Sequence, residues 1–214
     1  MVNPVYFNHD DYLEKWNNDH LEEEKLTVNT YPYKVKNSFI YSSCPTRGLK
    51  DVLLWFILIS KLAECGNTPF TLNIFVDFET EYVKKNCNVN ELKEMIKKID
   101  GVTLHKRVAK EELYKYMMKT EYWLYNTTFV ETFCITAVEI QNAGCIAIHT
   151  GIGALSEVNQ MKPVLTAENA AKLLTLLYEN PKLKIKKMDE AIENGNKFNL
   201  ENCSSAWFDY LEKN

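Results

Sequence analysis

The stretch from Tyr122 to Gly151 leaves this chain little choice of fold. Tyr122 to Tyr125 is a short aromatic and aliphatic run suited to a buried strand, and Asn126, Thr127 and Thr128 bring the polarity of a loop at its carboxyl end. A helix is predicted from about Phe133, with Ile135, Ala137, Val138, Ile140 and Ala143 as its apolar face. Asn142, Ala143 and Gly144 stop it, and Cys145 to His149 follows as a second buried strand. Strand, loop, helix, strand is a βαβ unit, which belongs to a parallel sheet covered on both faces. In such open sheets ligands bind beyond the carboxyl ends of the strands, where a helix start aims free amides and positive dipole into the crevice. Thr132, Phe133 and Cys134 are therefore the backbone expected to face a phosphate.

Glu131 falls in the loop of this unit and Glu139 on its helix. Eight helical residues rise about 12 Å, beyond the roughly 5 to 9.5 Å over which two carboxylates share one scissile bond. The pair fits better as two grips on one elongated, hydroxyl-rich ligand, because an ionised carboxylate only accepts and can take two vicinal hydroxyls. On spacing alone, two solvated glutamates are the ordinary outcome for this residue type.

Four stretches in order carry a family resemblance. Glu131 and Glu139, separated by seven residues inside ETFCITAVEIQNAG, resemble the E-x7-E motif of retaining glycosyltransferases of the GT-B fold, most closely glycosyltransferase family four. Phe39 to Leu54, FIYSSCPTRGLKDVLL, resembles the first strand and phosphate loop of that family's carboxyl-terminal domain. Val102 to Leu113, VTLHKRVAKEEL, is similar to its base-binding strand and the following helix, and Thr150 to Glu157, TGIGALSE, to the loop after its fifth strand. The resemblance implies a single Rossmann-like α/β domain over residues 38–214, doubly wound, closed by carboxyl-terminal helices and amounting to one half of a GT-B fold.

The same resemblance implies roles for particular residues. Glu139 would take ribose hydroxyls and Glu131 the donor sugar. Arg47, with the amides of Thr132, Phe133 and Cys134, would hold the diphosphate, and Lys50 would supply further charge. Arg107 would pack on the nucleotide base or meet a phosphate, and Val108 would lie beside the base. The activity implied is retaining hexosyl transfer from a UDP- or GDP-sugar to a glycan or glycoconjugate, with no metal or other cofactor. Two departures weaken the match: Ser42 and Ser43 stand where the family often has a basic residue, and Lys106 where it commonly has glycine. Residues 1–37 read as a hinge-like extension, with Val2-Asn3-Pro4-Val5 resembling the family's interdomain hinge. On that reading the family's acceptor domain is missing, and a second copy or a separate protein would complete the site. A non-catalytic sugar-nucleotide-binding subunit and a protein-interaction module remain open alternatives.

Composition narrows the field independently. A net charge of −4 argues against a general nucleic-acid or anionic-membrane surface, so any phosphate must be met by local positive groups. Arg47 and Arg107 are the only arginines, and each falls in one of the four stretches. The six cysteines lack metal-ligand spacing, and several sit in apolar runs as reduced thiols do, which predicts a cytoplasmic compartment. The apolar run Val52 to Ile59 is too short to cross a bilayer, so no transmembrane segment is expected. No G-x-G-x-x-G or Walker loop is present, which argues against a nicotinamide enzyme or P-loop kinase.

The remaining chain yields local expectations. Strands are predicted at Ser38 to Ser42, Thr71 to Phe78 and Val102 to Val108, with helices from Leu49, over Asn90 to Ile99 and over Lys110 to Lys119. Asp10 to Lys25 has the spacing of an amphipathic helix. Helices follow over Thr166 to Tyr178, Ile185 to Glu193 and Ser205 to Leu211, the last anchored to the core by Trp207 and Phe208. Lys182, Lys184, Lys186 and Lys187 read as a solvated helix face, and His105 and His149 as structural histidines.

Overall fold

The computed structural model describes Glu14, Tyr31 and residues 33–213. The expected hinge at Val2 to Val5 and the helix over Asp10 to Lys25 therefore lie outside the described residues, apart from Glu14. The elements run β1 (Val35–Tyr41), α1 (Leu49–Leu62), β2 (Thr71–Phe75), α2 (Glu81–Asn86), α3 (Val89–Lys98), β3 (Val102–His105), α4 (Lys110–Lys119) and β4 (Thr120–Tyr125). They continue through α5 (Ile135–Asn142), β5 (Ile146–His149), α6 (Leu155–Val158), α7 (Ala167–Glu179), α8 (Pro181–Asn196) and α9 (Leu200–Lys213).

The five strands form one parallel sheet in the order β3-β2-β1-β4-β5, as the βαβ unit predicted. Helices cover both faces, so strands can be buried along their whole length: all six residues of β4 and all four of β5 are buried. Leu49, Val52, Leu53, Phe56 and Ile59 on α1 recur at helical spacing and turn one face to the sheet. Phe39 of β1 anchors this packing, with ring centroids 5.8 Å from Phe56 and 5.3 Å from Tyr122.

Three strand expectations shift, for one physical reason. Strand β1 starts at Val35 rather than Ser38, because Val35 already pairs with Thr120 of β4. Strand β2 stops at Phe75 and β3 at His105, which pair with each other as the last rung of their ladder. Beyond that rung neither strand has a partner, and the backbone turns into loops at the carboxyl end of the sheet.

The last helix overturns another expectation. Trp207 and Phe208 are 67% and 68% exposed, so they do not anchor α9. Phe198, just before α9, packs edge-on against Phe133 at 5.7 Å instead. The lysine face also splits. Lys184 is 20% exposed and lies 2.5 Å from the buried Glu121, and Lys187 bonds Glu190 at 2.7 Å, so these two are structural ion-pair partners.

The reversal of strand order places a crevice at the carboxyl ends of β1 and β4. To one side of β1 lies β2, and to the other lies β4, so the loops leaving β1 and β4 diverge to opposite faces. Gly48 lets them approach. It has φ 93°, and a Cβ there would stand 2.3 Å from the Asn126 carbonyl oxygen.

Candidate functional site

The loop Ser42–Arg47 after β1 and the loop Asn126–Cys134 after β4 meet over this crevice. Glu131 is only 4% exposed, which is the opposite of a solvated glutamate. Arg47 Nη1 donates to both its carboxylate oxygens, at 3.1 and 3.3 Å, and the Tyr125 hydroxyl donates to Oε1 at 2.6 Å. The Arg47 guanidinium also lies 4.3 Å from the centroid of the Phe129 ring, a cation–π contact that fixes its plane. Ser43, in the β1 loop, approaches the same tyrosine hydroxyl at 3.4 Å.

The backbone of Glu131 is pinned from the other side. It bridges Gly153, and its carbonyl accepts the Ala154 N–H at 2.8 Å. A Cβ on Gly153 would lie 2.3 Å from that carbonyl oxygen, so the glycine loop after β5 is needed for the contact. Thr150 ties the same two loops together, donating to the Thr127 carbonyl at 2.8 Å.

Glu139 is held on α5 in a matching way. It too is 4% exposed, and its Oε1 accepts from the Lys110 ammonium and, at 3.0 Å, from the Tyr114 hydroxyl. Lys110 opens α4 and Tyr114 lies one helical turn along, so both reach α5 from one face of α4. Each carboxylate is thus met by one cation and one tyrosine.

The electrostatics keep both tyrosines and Arg47 in their donating states. Burial first, and then the bond to the neighbouring carboxylate, raise the hydroxyl of Tyr125 well above the ordinary tyrosine range. Burial and Glu139 do the same for Tyr114. Burial disfavours the Arg47 charge, but Glu131 and Tyr125 outweigh it and hold the guanidinium above its usual value. Burial, with Glu131 nearby, pushes the Cys134 thiol up to about 12, so this cysteine is a protonated thiol at neutral pH.

A cavity of about 370 Å³ opens beside the two carboxylates, between the loops after β1, β2 and β3. Arg107, Val108 and Lys110 form one wall, and Ser42, Ser43 and Cys44 another. Neither glutamate lines it directly. Lys110 connects it to Glu139, and Ser43 connects it to Tyr125 and so to Glu131.

The other residues singled out from the sequence lie as follows. Cys134, at φ 66°, precedes α5 and provides no side-chain cap, leaving the segment Thr132 to Cys134 at an uncapped helix start. Lys50 is not brought to Glu131: its ammonium lies 2.5 Å from Glu91 on the outer side of α1. His105 stacks on Phe75 at 4.4 Å and bonds Asn73, while His149 is fully buried and bonds the Met161 carbonyl. Burial lowers the pKa of both rings, in keeping with neutral, structural histidines. The sequence reading missed Tyr125, Lys110 and Tyr114. Tyr125 could have been flagged as the strand-end residue beside the loop, and Lys110 and Tyr114 as an i, i+4 pair, but nothing local marks their partners.

No protein-family model matches this chain, and no curated protein sequence does. Solved structures do match. HepE of Anabaena, in complex with UDP, superposes with a TM-score of 0.69 at 13% identity, over 97% of this chain and 56% of HepE. A glycosyltransferase of Rickettsia africae gives 0.65 at 18% identity, over 96% of this chain and 55% of that one. Sucrose-phosphate synthase of Thermosynechococcus elongatus gives 0.65 at 13% identity, over 98% and 51%. The chain thus spans about half the length of these solved chains. What is shared is the fold: a five-stranded parallel sheet with flanking helices, equivalent to one Rossmann-like domain of a GT-B glycosyltransferase. Among the described residues no helix is long and apolar enough to cross a membrane.

Proposed function

We propose that this domain binds a nucleoside diphosphate sugar across the carboxyl end of its sheet and serves in transfer of the hexose to a glycan or glycoconjugate with retention of anomeric configuration. The observation that carries this reading is the pair of buried carboxylates, each held by one cation and one tyrosine, at the point where strand order reverses. An ionised carboxylate kept dry and fixed is a strong acceptor for sugar hydroxyls. Glu139 takes the ribose hydroxyls and Glu131 the transferred sugar. Arg47 and the amides of Thr132, Phe133 and Cys134 meet the diphosphate, and Arg107 with Val108 flanks the base in the adjoining cavity.

As the bond from the anomeric carbon to the diphosphate oxygen breaks, positive charge develops on the sugar and negative charge on the leaving group. Glu131 faces the first, and Arg47 with the helix-start amides faces the second. No metal is needed for this balance. Lys50 stands apart from this balance, with its ammonium paired to Glu91.

A binding role without transfer is the second reading. It is favoured by the Arg47–Glu131 pair, which neutralises the carboxylate closest to the proposed chemistry.

Calorimetric titration against UDP-, GDP- and ADP-sugars, without and then with divalent metal, tests the donor. Saturable metal-independent binding of one of them is expected. Silence across the panel from demonstrably folded protein would overturn the donor reading. For transfer itself, the anomeric configuration of the product, read by NMR, must match that of the donor.

A further inference from the structure

Resting on the donor-site reading, one detail of the Glu139 set points to a further function for Lys110. One oxygen of the carboxylate assigned to ligand hydroxyls is already occupied: its Oε1 accepts from both Lys110 and Tyr114. A ribose hydroxyl that reaches this oxygen must compete with one of them. Tyr114 is 7% exposed and fixed by its surroundings. Lys110 is not, since its side chain is 57% exposed on a flexible four-carbon stem. The lysine is the partner that leaves.

Where it goes is set by the cavity. Lys110 forms part of the wall together with Arg107, while Asp77 is the carboxylate of that lining. The first residue of α4 is also a poor place for a cation, because the helix dipole presents positive charge there. The same dipole would attract an anion to this wall, and the cap residue Ala109 offers no side-chain acceptor to the first-turn amides. A ligand with its base in the cavity and its diphosphate running toward Arg47 would carry that anion past the α4 start and a released ammonium.

We propose that Lys110 is a transferable cation, which neutralises Glu139 in the empty site and passes to the ligand's diphosphate when ribose hydroxyls take over the carboxylate. A nucleoside without phosphate that takes Oε1 breaks the Lys110–Glu139 pair and gives the ammonium nothing in return. A nucleoside diphosphate replaces the lost pair with a charge-assisted bond. Lys110 thus sets a preference for phosphorylated ligands, a role apart from any contact to base or sugar.

The test compares uridine and UDP binding, by ligand-observed NMR and calorimetry, in the wild type, Lys110→Met and Lys110→Arg. Thermal melts confirm the fold of each variant. Lys110→Met is expected to weaken UDP about tenfold, the loss of one charge-assisted bond, while uridine binds as well as before or tighter. Lys110→Arg is expected to restore UDP to within about threefold of wild type. Equal weakening of uridine and UDP would overturn the proposal in favour of a lysine that only positions Glu139, and unchanged UDP binding would overturn it outright. If the wild-type protein binds UDP but the variants behave in either of these ways, only the lysine role fails. If the wild type binds no nucleotide at all, the donor reading fails with it.

Discussion

Glu131 and Glu139 are equally buried and are each met by one cation and one tyrosine, yet the two sets differ in how the cation is held. At Glu131 a single guanidinium nitrogen reaches both carboxylate oxygens, and the cation is itself held against Phe129. At Glu139 the cation is a half-exposed lysine that meets one oxygen. A delocalised guanidinium stacked on a ring is pre-organised, whereas an ammonium on a flexible stem is a mobile point charge. The difference teaches that burial alone does not make a carboxylate rigid. The fixed set suits a group that must hold its place while charge develops, and the exchangeable set suits one that a ligand must claim.

The comparison can be broken by mutation, and the largest effect should come from the fixed side. Glu131→Ala is expected to lower turnover by about 10²- to 10³-fold with donor affinity changed far less, as for loss of a pre-organised electrostatic group. Glu139→Ala should instead weaken donor binding by roughly 10- to 100-fold, the loss of one or two charge-assisted hydrogen bonds. Steady-state kinetics and calorimetry separate the two. Equal effects of both substitutions on affinity and turnover would erase the distinction.

Smaller changes sharpen it. Gly48→Ala forces a side chain into a left-handed conformation and against the Asn126 carbonyl, and should cost about 1–3 kcal/mol in denaturant unfolding. It should disturb donor-dependent turnover through Arg47 while sparing Lys110 and Glu139. Removing single hydroxyls should have the mildest consequences, about 1 kcal/mol each. Tyr125→Phe is expected to appear mainly in turnover and Tyr114→Phe mainly in donor affinity, each by several-fold. A reversed pattern would mean that the two carboxylates have exchanged roles.

Much of the fold was legible because its causes are local. The apolar runs at Tyr122–Tyr125 and Cys145–His149, the helical spacing of Leu49, Leu53 and Phe56, and Gly48 after the β1 loop each report burial or backbone freedom within a few residues. The site was half legible. Arg47, Glu131 and Glu139 stood out in the sequence, but spacing alone favoured solvated carboxylates, and both are buried. Trp207 and Phe208 misled in the opposite sense, since an aromatic pair on a helix signals burial only where a surface receives it. Lys184 could not be told from its solvated neighbours, because its partner Glu121 lies 63 residues away.

The sequence by itself determined that a parallel sheet forms, where its helices begin, and that loops carrying Arg47 and Glu131 stand at the carboxyl ends of strands. Those features follow from periodic burial of apolar side chains, which acts over a turn or a strand at a time. Only the tertiary structure decided which cation met which carboxylate. Arg47 and Glu131 are 84 residues apart, and Lys110 and Glu139 are 29 apart. Hydrogen bonds and ion pairs change over tenths of an ångström, so their partners are set by how separate elements pack, not by the spacing of residues along the chain.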